Sequence, residues 1–316
     1  MIVSPTQENY QEAIHKLQKN ELIGLPTETV YGLAADATSD LAVARIFEAK
    51  KRPTFNPLII HGSSQETFKD HVVWNDMAEM LSQAFWPGPL TLVLPRLPTS
   101  PISLLTSAGL SSLAVRIPHH PVALDLLSRF KGVLAAPSAN LSGRISSTQA
   151  NHVQEDFPDL FILDGGNTTI GLESTIIDLT TSTPLLLRPG GLLLEEIELL
   201  IGPLKTPCQF SIKAPGMMKS HYAPSLPLRL NVKKPLENEA YLAFGDTPFK
   251  GDHILNLSPS SDLTEAAANL FKMMRLLDRT QFCGIAAAPI PLKGLGIALN
   301  DRLLRAAAPR ELSERG

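Results

Sequence analysis

Short apolar runs alternate with amphipathic segments through the first 205 residues, and this alternation most limits the folds open to the chain. Residues 22–25 and 113–117 have the length and apolar content of buried strands. Between such runs, the segment that begins at Ser39 places Val43 and Ile46 on one helical face. Strands interleaved with helices are typical of α/β domains, so we expect one such domain over residues 1–205.

Polar side chains follow these apolar runs at the points where the runs stop. In an α/β sheet such strand ends converge on one crevice, so segments far apart in sequence can build a single site. The set combines cations with hydroxyl and amide groups, which suits a polyanionic ligand. Its members are Thr29, Lys50, Arg52, Asn56, His61, Arg116, Ser138, Asn140 and Arg188.

Each member of this set also has a purely structural interpretation. Lys50 and Arg52 at a helix end could complement the helix dipole, although the prolines that follow stiffen their loop in a way that suits phosphate binding. Arg116 and Arg188 leave buried runs and are each either a buried ion-pair partner or an anion clamp. The stretch after Ser138 is either a turn or a source of hydrogen-bond donors.

The remaining chain divides into a linker and a second alternating segment. The predicted linker covers residues 206–228. Five prolines fall within residues 202–227, yet the linker also includes Met217, His221 and Tyr222, which favour a packed rather than a passive linker. Residues 229–316 show a βαβα pattern, and we expect a small doubly wound α/β domain there.

Composition excludes several classes of protein. The net charge of −3 over 316 residues argues against a generally basic nucleic-acid coat. Two cysteines far apart in the sequence cannot form a disulfide framework or a metal site by themselves. No apolar stretch approaches the roughly 20 residues that span a bilayer, and the N-terminus lacks signal-peptide features, so we expect a cytoplasmic protein. Residue chemistry alone therefore predicts an α/β enzyme that binds a phosphate-bearing ligand.

A series of short segments occurs in a fixed order along nearly the whole chain. The segments are Thr27-Glu28-Thr29-Val30-Tyr31-Gly32, Lys50-x-Arg52, Ser138-Ala139-Asn140-x-Ser142-Gly143, Leu187-Arg188-Pro189-Gly190, Ala214-Pro215-Gly216-Met217, His221-Tyr222-Ala223-Pro224 and Asn300-Asp301-Arg302-Leu303. In this order they resemble the threonylcarbamoyl-AMP synthase family, the YrdC-domain proteins, in its longer two-domain form. Ser147 departs from the family pattern, in which proline is common at that position.

The resemblance implies both a fold and a reaction. The implied fold is a twisted mixed sheet with helices over residues 1–205, an ordered linker or lid over 206–228 and a Rossmann-like domain over 229–316. The implied reaction converts L-threonine, bicarbonate and ATP, with Mg²⁺ and no metal ion held by the protein itself, into threonylcarbamoyl-AMP and pyrophosphate. A downstream threonylcarbamoyl transferase complex would then modify the tRNA adenosine next to the anticodon. The resemblance leaves open whether this protein itself contacts tRNA.

The resemblance also assigns roles residue by residue. Lys50 and Arg52 are expected to act at the reacting phosphate. The implied threonine-binding residues are Thr29, His61, Arg116 and Ser174. The implied nucleotide-binding residues are Lys50, Arg52, Asn56, Ser112, Ser138, Asn140, Ser146, Arg188 and Tyr222.

Two other functions remain open at the level of sequence. One is a related enzyme that forms a carbamoyl adenylate from carbamoyl phosphate, although the extra zinc-finger and acylphosphatase-type segments of such enzymes are missing from this sequence. The other is a non-catalytic RNA-binding module, which the negative net charge and the lack of interleaved aromatic residues disfavour.

Overall fold

The computed structural model describes residues 1–207 and 213–309, which form a large mixed sheet and a smaller parallel sheet, each with its own helices. The larger unit has the helices α1 (Gln7–Gln18), α2 (Asp40–Lys50), α3 (Glu66–Lys69), α4 (Asp76–Phe85), η1 (Leu104–Ser107, a 3₁₀ helix), α5 (Pro121–Phe130), α6 (Ala150–Asp156) and α7 (Leu194–Ile201). Its strands are β1 (Ile2–Val3), β2 (Ile23–Leu25), β3 (Gly32–Asp36), β4 (Ile59–His61), β5 (Leu90–Pro95), β6 (Ser112–Arg116), β7 (Leu134–Ala135), β8 (Phe161–Leu163), β9 (Thr175–Asp178) and β10 (Leu185–Arg188). The C-terminal unit contains β11 (Leu228–Arg229), β12 (Glu239–Ala243), β13 (Ile254–Asn256), α8 (Leu263–Leu277), β14 (Gly284–Ala287) and α9 (Leu295–Ala307). This architecture confirms the predicted α/β fold class.

The ten-stranded sheet brings together strands that are distant in sequence. Its order is β1-β8-β2-β3-β7-β4-β6-β5-β9-β10. Strands β4 and β6 are parallel neighbours, and their register places His61 opposite Arg116. Strand β10 lies antiparallel to β9 at the sheet edge, with a register shift just before Arg188. The sheet therefore carries several of the predicted site residues to the last positions of strands β4, β6 and β10.

Helix α2 delivers the basic segment to the site. Ser39 caps the helix by accepting a hydrogen bond from the backbone N–H of Ala42. Val43 and Ile46 are fully buried against the sheet, as the helical pattern predicts. The helix ends at Lys50, and Lys51 then adopts a left-handed conformation with φ of 50°. This turn points the buried side chains of residues 50 and 52 towards the sheet instead of into solvent.

The C-terminal unit shares a core with the larger unit. Its four parallel strands have the order β11-β14-β12-β13. The buried face of α8 includes Leu270 and Phe271. Val30, Ile145 and Leu172, all from loops of the larger unit, belong to the same apolar cluster. The C-terminal unit consequently packs directly behind the loops that carry predicted site residues.

Residues 208–212 of the predicted linker lie outside the described part of the chain. From residue 213 to 227 the chain has no regular secondary structure, yet Met217, His221 and Tyr222 are all buried. Residues 310–316 of the predicted C-terminal domain are likewise outside the description. Across residues 1–207 and 213–309, no helix has the length and apolar character to cross a membrane.

Candidate active site

Lys50 and Arg52 are anchored to backbone carbonyl groups at the centre of the larger unit. The Lys50 ammonium donates to the carbonyl oxygen of Ser138 at 2.6 Å and also to that of Asn140. The Arg52 guanidinium donates from Nε to the Asn56 carbonyl at 3.1 Å and from Nη2 to the Pro57 carbonyl at 2.8 Å. Both side chains are buried. Their charges are therefore held rigidly in place without a carboxylate partner among the described residues.

Arg188 is a third buried cation bound in the same way. Its Nε and Nη2 atoms donate to the Ser174 carbonyl at 3.2 and 2.8 Å. Nη2 also lies 3.2 Å from the Ser174 hydroxyl, and Nη1 donates to the carbonyl of Pro215 in the linker at 3.1 Å. Within residues 1–207 and 213–309 its hydrogen bonds end on carbonyl or hydroxyl oxygens only. Of the two interpretations of Arg188, these contacts favour the anion clamp.

Burial and the closeness of several positive charges lower the pKa values of the basic groups at this site. Burial, followed by the charge of Arg52, holds the pKa of Lys50 well below its usual value. Burial also lowers the pKa of Arg52 to about 9. The pKa of His221 lies well below the usual histidine value because of burial and then because of Arg52 and Lys50. A bound polyanion would relieve this mutual repulsion, so the arrangement is suited to phosphate groups.

A second polar cluster surrounds Arg116. Unlike the cations of the first cluster, this arginine is paired with a carboxylate. Arg116 Nη2 forms a buried ion pair with Glu28 at 2.6 Å. Its Nη1 donates to the Thr29 hydroxyl at 2.9 Å, and its Nε to the Gly88 carbonyl at 3.1 Å. Of the two interpretations of Arg116, the buried ion pair is therefore present, and it orients a guanidinium that also borders the cavity.

His61 is neutral in this cluster. Burial, then the neighbouring charge of Arg116, lowers the pKa of His61 to about 3. Its Nδ1 atom is 3.2 Å from the carbonyl oxygen of Ile59. Because a carbonyl only accepts, Nδ1 carries the proton in this contact. Nearby, the hydroxyl groups of Thr91 and Ser174 lie 2.7 Å apart. Neutral donors and acceptors around one arginine suit a small zwitterion such as an amino acid.

The two clusters border one cavity. It lies between the large sheet and the linker. The predicted site residues in its wall are Thr29, Arg52, His61, Arg116, Ser138, Ser174, Arg188 and Tyr222. Lys50, Asn56, Asn140 and Ser146 lie directly behind the wall, joined to it by hydrogen bonds. The buried side-chain oxygens Oδ1 of Asn56 and Oδ1 of Asn140 have no hydrogen-bond partner among the described residues.

Ser112 is the predicted site residue that lies neither in the cavity wall nor among the residues hydrogen-bonded directly behind it. It begins β6, whereas Arg116 ends the same strand. Four residue steps along a strand separate the two by about 13 Å. Alternation nevertheless puts both side chains on one face of the sheet. The nucleotide-binding role of Ser112 stays a prediction.

The linker covers the cavity with apolar and aromatic side chains. Met217 packs with Ile59, Ala114 and other buried residues on one face of the large sheet. The Tyr222 ring stacks on Phe271 of α8 with 5.5 Å between centroids, and the Arg302 guanidinium lies 5.0 Å from the same ring. The Tyr222 hydroxyl is buried without a hydrogen-bond partner among the described residues.

Several polar residues of the site were not predicted from the sequence. Thr27, Glu173 and His221 line the cavity. Arg302 of α9 reaches it indirectly by forming a buried ion pair with Glu173 at 2.7 Å. Of these, His221 and Arg302 belong to segments that carry the family resemblance, and this could have indicated that they have a role at the site. Glu173 had only its position next to Ser174 to indicate a role.

Two family models match consecutive parts of the chain. A model for Sua5, YciO and YrdC proteins, described as "Telomere recombination", matches residues 15–190. A second, described as "Threonylcarbamoyl-AMP synthase, C-terminal domain", matches residues 193–308. The two matches together span both sheets of the structure.

Relatives resemble the chain over nearly its full length. The threonylcarbamoyl-AMP synthase of Pyrococcus abyssi is 43% identical over 320 residues, which cover 93% of this chain and 92% of the relative. The Bacillus subtilis threonylcarbamoyl-AMP synthase is 38% identical over 322 residues, covering 95% and 93%. The crystal structure of P. abyssi Sua5 complexed with L-threonine matches with a TM-score of 0.90 at 40% identity over 97% of both chains. The chain belongs to the threonylcarbamoyl-AMP synthase family, in its two-domain form.

Proposed function

We propose that this protein converts L-threonine, bicarbonate and ATP into threonylcarbamoyl-AMP, pyrophosphate and water. The observation that carries the proposal is the set of buried cations, Lys50, Arg52 and Arg188, whose hydrogen bonds end on neutral oxygens. Burying unpaired cations is costly, so their retention at one cavity favours a polyanionic substrate. The cluster around Arg116 would then hold the amino acid.

The reaction needs positioning more than side-chain covalent chemistry. The threonine amine and bicarbonate form a carbamate with loss of water, and a carbamate oxygen then attacks the α-phosphorus of ATP as pyrophosphate departs. Negative charge spreads over the phosphate oxygens during this transfer. We propose that Lys50 and Arg52 stabilise that charge and that Arg188 binds the phosphate chain. Because carbonyl groups already fix all three side chains, little reorganisation is needed during the reaction.

The other polar residues would divide between the two substrates. We assign Asn56, Ser138 and Asn140 to the nucleotide because their carbonyl groups bind Lys50 or Arg52. Ser146 is assigned with them because it binds Glu173 in the cavity wall. Arg116 is assigned to the threonine carboxylate. The residues that complete the threonine site in this proposal are Thr29, His61 and Ser174.

Mg²⁺ would enter with ATP. No cluster of His, Cys, Asp or Glu suited to a metal ion occurs in residues 1–207 and 213–309. The unpartnered amide oxygens of Asn56 and Asn140 fit the preference of Mg²⁺ for oxygen ligands, with phosphate oxygens supplying most of the coordination. When bound, the ion would neutralise charge on the leaving pyrophosphate.

The linker would act as a lid over the nucleotide. Its contact between the Pro215 carbonyl and Arg188, and the packing of Met217 on the sheet, close the cavity from one side. A closed lid would keep water from the labile mixed anhydride. Replacing Tyr222 with Ala should weaken ATP binding or release hydrolysed intermediate. Unchanged kinetics and product yield would rule out the lid.

The proposed reaction is tested by pyrophosphate release from purified protein. Release should require threonine, bicarbonate and ATP together, and Arg52→Met should abolish it. Release supported by carbamoyl phosphate without threonine would instead identify a carbamoyl-adenylate-forming enzyme. RNA affinity that persists at saturating ATP and threonine, with no pyrophosphate release, would favour the RNA-binding function.

The later fate of the product is part of the same proposal. We propose that the threonylcarbamoyl group passes to a downstream transferase complex, which installs it on tRNA adenosine next to the anticodon. This sequence of events would take place in the cytoplasm. Detection of the modified nucleoside in tRNA, after the protein is mixed with its substrates, a transferase complex and unmodified tRNA, is the corresponding test.

A further inference from the structure

Glu173 places a negative charge in a cavity that otherwise suits a polyanion. Among the described residues that line the cavity, it is the only acidic one. Its Oε1 atom accepts a hydrogen bond of 2.6 Å from the hydroxyl of Ser146, a residue assigned to the nucleotide. Burial alone would raise the pKa of Glu173, but Arg302, Arg188 and Ser146 outweigh it and keep the pKa below its usual value. Glu173 is therefore an ionised carboxylate beside the proposed phosphate site.

The counter-charge for Glu173 comes from the other unit of the molecule. Arg302 lies on α9, 129 residues away in sequence, and donates from Nε to Glu173 Oε2 at 2.7 Å. Its side chain is fully buried. Nη2 donates to the carbonyl of Pro189, next to Arg188, at 3.0 Å, and Nη1 binds Asp301 at 2.6 Å. Asp301 is also paired with Arg305, so it does not depend on Arg302 for a counter-charge.

We propose that Arg302 is a positioning residue for the nucleotide, and that it acts by neutralising Glu173. The inference rests on the proposed function, because it assumes that ATP phosphates occupy the cavity. Without Arg302, the Glu173 carboxylate would face those phosphates unpaired, and repulsion between like charges at short range would oppose ATP binding. The unpaired Glu173 carboxylate would also accept a stronger hydrogen bond from the Ser146 hydroxyl, which would keep that hydroxyl away from the nucleotide. In this way the C-terminal unit contributes to the site through charge compensation.

The test is a rescue experiment in the full-length protein. Arg302→Gln should raise the KM for ATP tenfold or more in the pyrophosphate-release assay, while the KM for threonine changes less than threefold. Adding Glu173→Gln to that variant removes the repelling carboxylate and should return the KM for ATP to within about threefold of the wild-type value. Arg302→Lys, which keeps the charge, should resemble the wild type more than Arg302→Gln does.

A matched control removes an arginine charge elsewhere in the same unit. Arg279 is exposed and follows α8, so Arg279→Gln should leave both KM values unchanged. If the double variant is no better than Arg302→Gln, Arg302 acts through Tyr222 or the packing of the two units, and the inference is wrong. An equal rise in both KM values for Arg302→Gln would also overturn it.

Two further measurements test the inference if Arg302→Gln does not fold, and separate its failure from failure of the proposed function. Should Arg302→Gln fail to fold, the double variant, which buries no unpaired charge at this position, is measured alone. A KM for ATP near that of the wild type supports charge compensation, and a rise above tenfold contradicts it. The proposed function fails separately, if wild-type protein releases no threonine-dependent pyrophosphate.

Discussion

Removing one oxygen atom from Tyr222 should stabilise the free protein and weaken ATP binding. The Tyr222 hydroxyl is buried without a hydrogen-bond partner among the described residues. Its ring, in contrast, is well packed between Phe271 and Arg302. Tyr222→Phe keeps the ring contacts and removes the unpartnered group. The substitution therefore separates the structural role of the ring from the ligand-binding role of the hydroxyl.

The sizes of both effects follow from hydrogen-bond energetics. A buried polar group without a partner costs about 1–3 kcal/mol, so we expect Tyr222→Phe to raise the free energy of unfolding by about 1 kcal/mol. For a chain of this size that corresponds to an increase in Tm of about 2 °C. A hydrogen bond from the hydroxyl to a charged phosphate oxygen contributes about 1.5–3 kcal/mol. Its loss should raise the Kd for ATP about 10- to 100-fold.

The assay compares thermal unfolding and ATP titration for two tyrosine variants. Tyr241 serves as the control, because its hydroxyl donates to the Val232 carbonyl at 3.0 Å in the C-terminal unit. Tyr241→Phe should lower the free energy of unfolding by about 1 kcal/mol and leave the Kd for ATP unchanged. If Tyr222→Phe also lowers Tm and binds ATP like the wild type, its hydroxyl is satisfied in the free protein and does not contact the nucleotide.

Three further predictions concern packing, threonine binding and pH. Gly190→Ala would place a Cβ atom 2.3 Å from a backbone carbonyl oxygen. We therefore expect urea titrations to show a free energy of unfolding that is lower by about 1–3 kcal/mol. An unchanged denaturation midpoint would contradict this close approach. Arg116→Lys cannot reproduce three guanidinium contacts, and we expect a 10- to 100-fold increase in the KM for threonine with little change for ATP; equal effects on both substrates would refute the assignment. His61, His152 and His221 all have a lowered pKa in the folded protein, about 3 for His61, about 4 for His152 and well below the usual value for His221, each mainly through burial. Between pH 6.5 and about 4 the unfolded chain therefore binds more protons than the folded protein, and stability falls as pH falls, by about 1 kcal/mol per histidine between pH 6.5 and 5.5. In urea titrations these three histidines should contribute a loss of about 3 kcal/mol over that interval, and His152→Asn should reduce the total loss by about 1 kcal/mol; a pH-independent midpoint would contradict the buried neutral state.

Local sequence patterns predicted much of the larger sheet. Strands β2 and β6 coincide closely with the apolar runs at residues 22–25 and 113–117, because each is buried on both faces and needs a continuous apolar stretch. Strand β3 was missed, although it lies between β2 and β7 near the centre of the sheet. Its sequence, Gly-Leu-Ala-Ala-Asp, consists mainly of small residues with low strand propensity. Its neighbours in the sheet, rather than its own composition, make it a strand.

The sequence also located the candidate site, but not the pairing of its charges. Arg116 and Arg188 occupy equivalent positions at the ends of apolar strands, and nothing in their local sequence distinguishes them. In the structure Arg116 is paired with Glu28, whereas Arg188 contacts only carbonyl and hydroxyl oxygens among the described residues. The difference depends on which loops the fold brings to each arginine. Pairings between distant segments are decided by tertiary structure and leave no local pattern.

This distribution of charge links the two units of the molecule. The cavity combines unpaired cations with one paired carboxylate, so its net charge is positive and complements a nucleotide. The cations are held by loops of the larger unit, such as the Ser138 loop that binds Lys50. The acid is neutralised from α9, and the linker that closes the cavity is held there as well, because Arg305 donates to the Met218 carbonyl at 2.6 Å. In the proposed reaction, one helix of the C-terminal unit would thus couple the electrostatics of the site to closure of the linker, although no described residue of that unit lines the cavity.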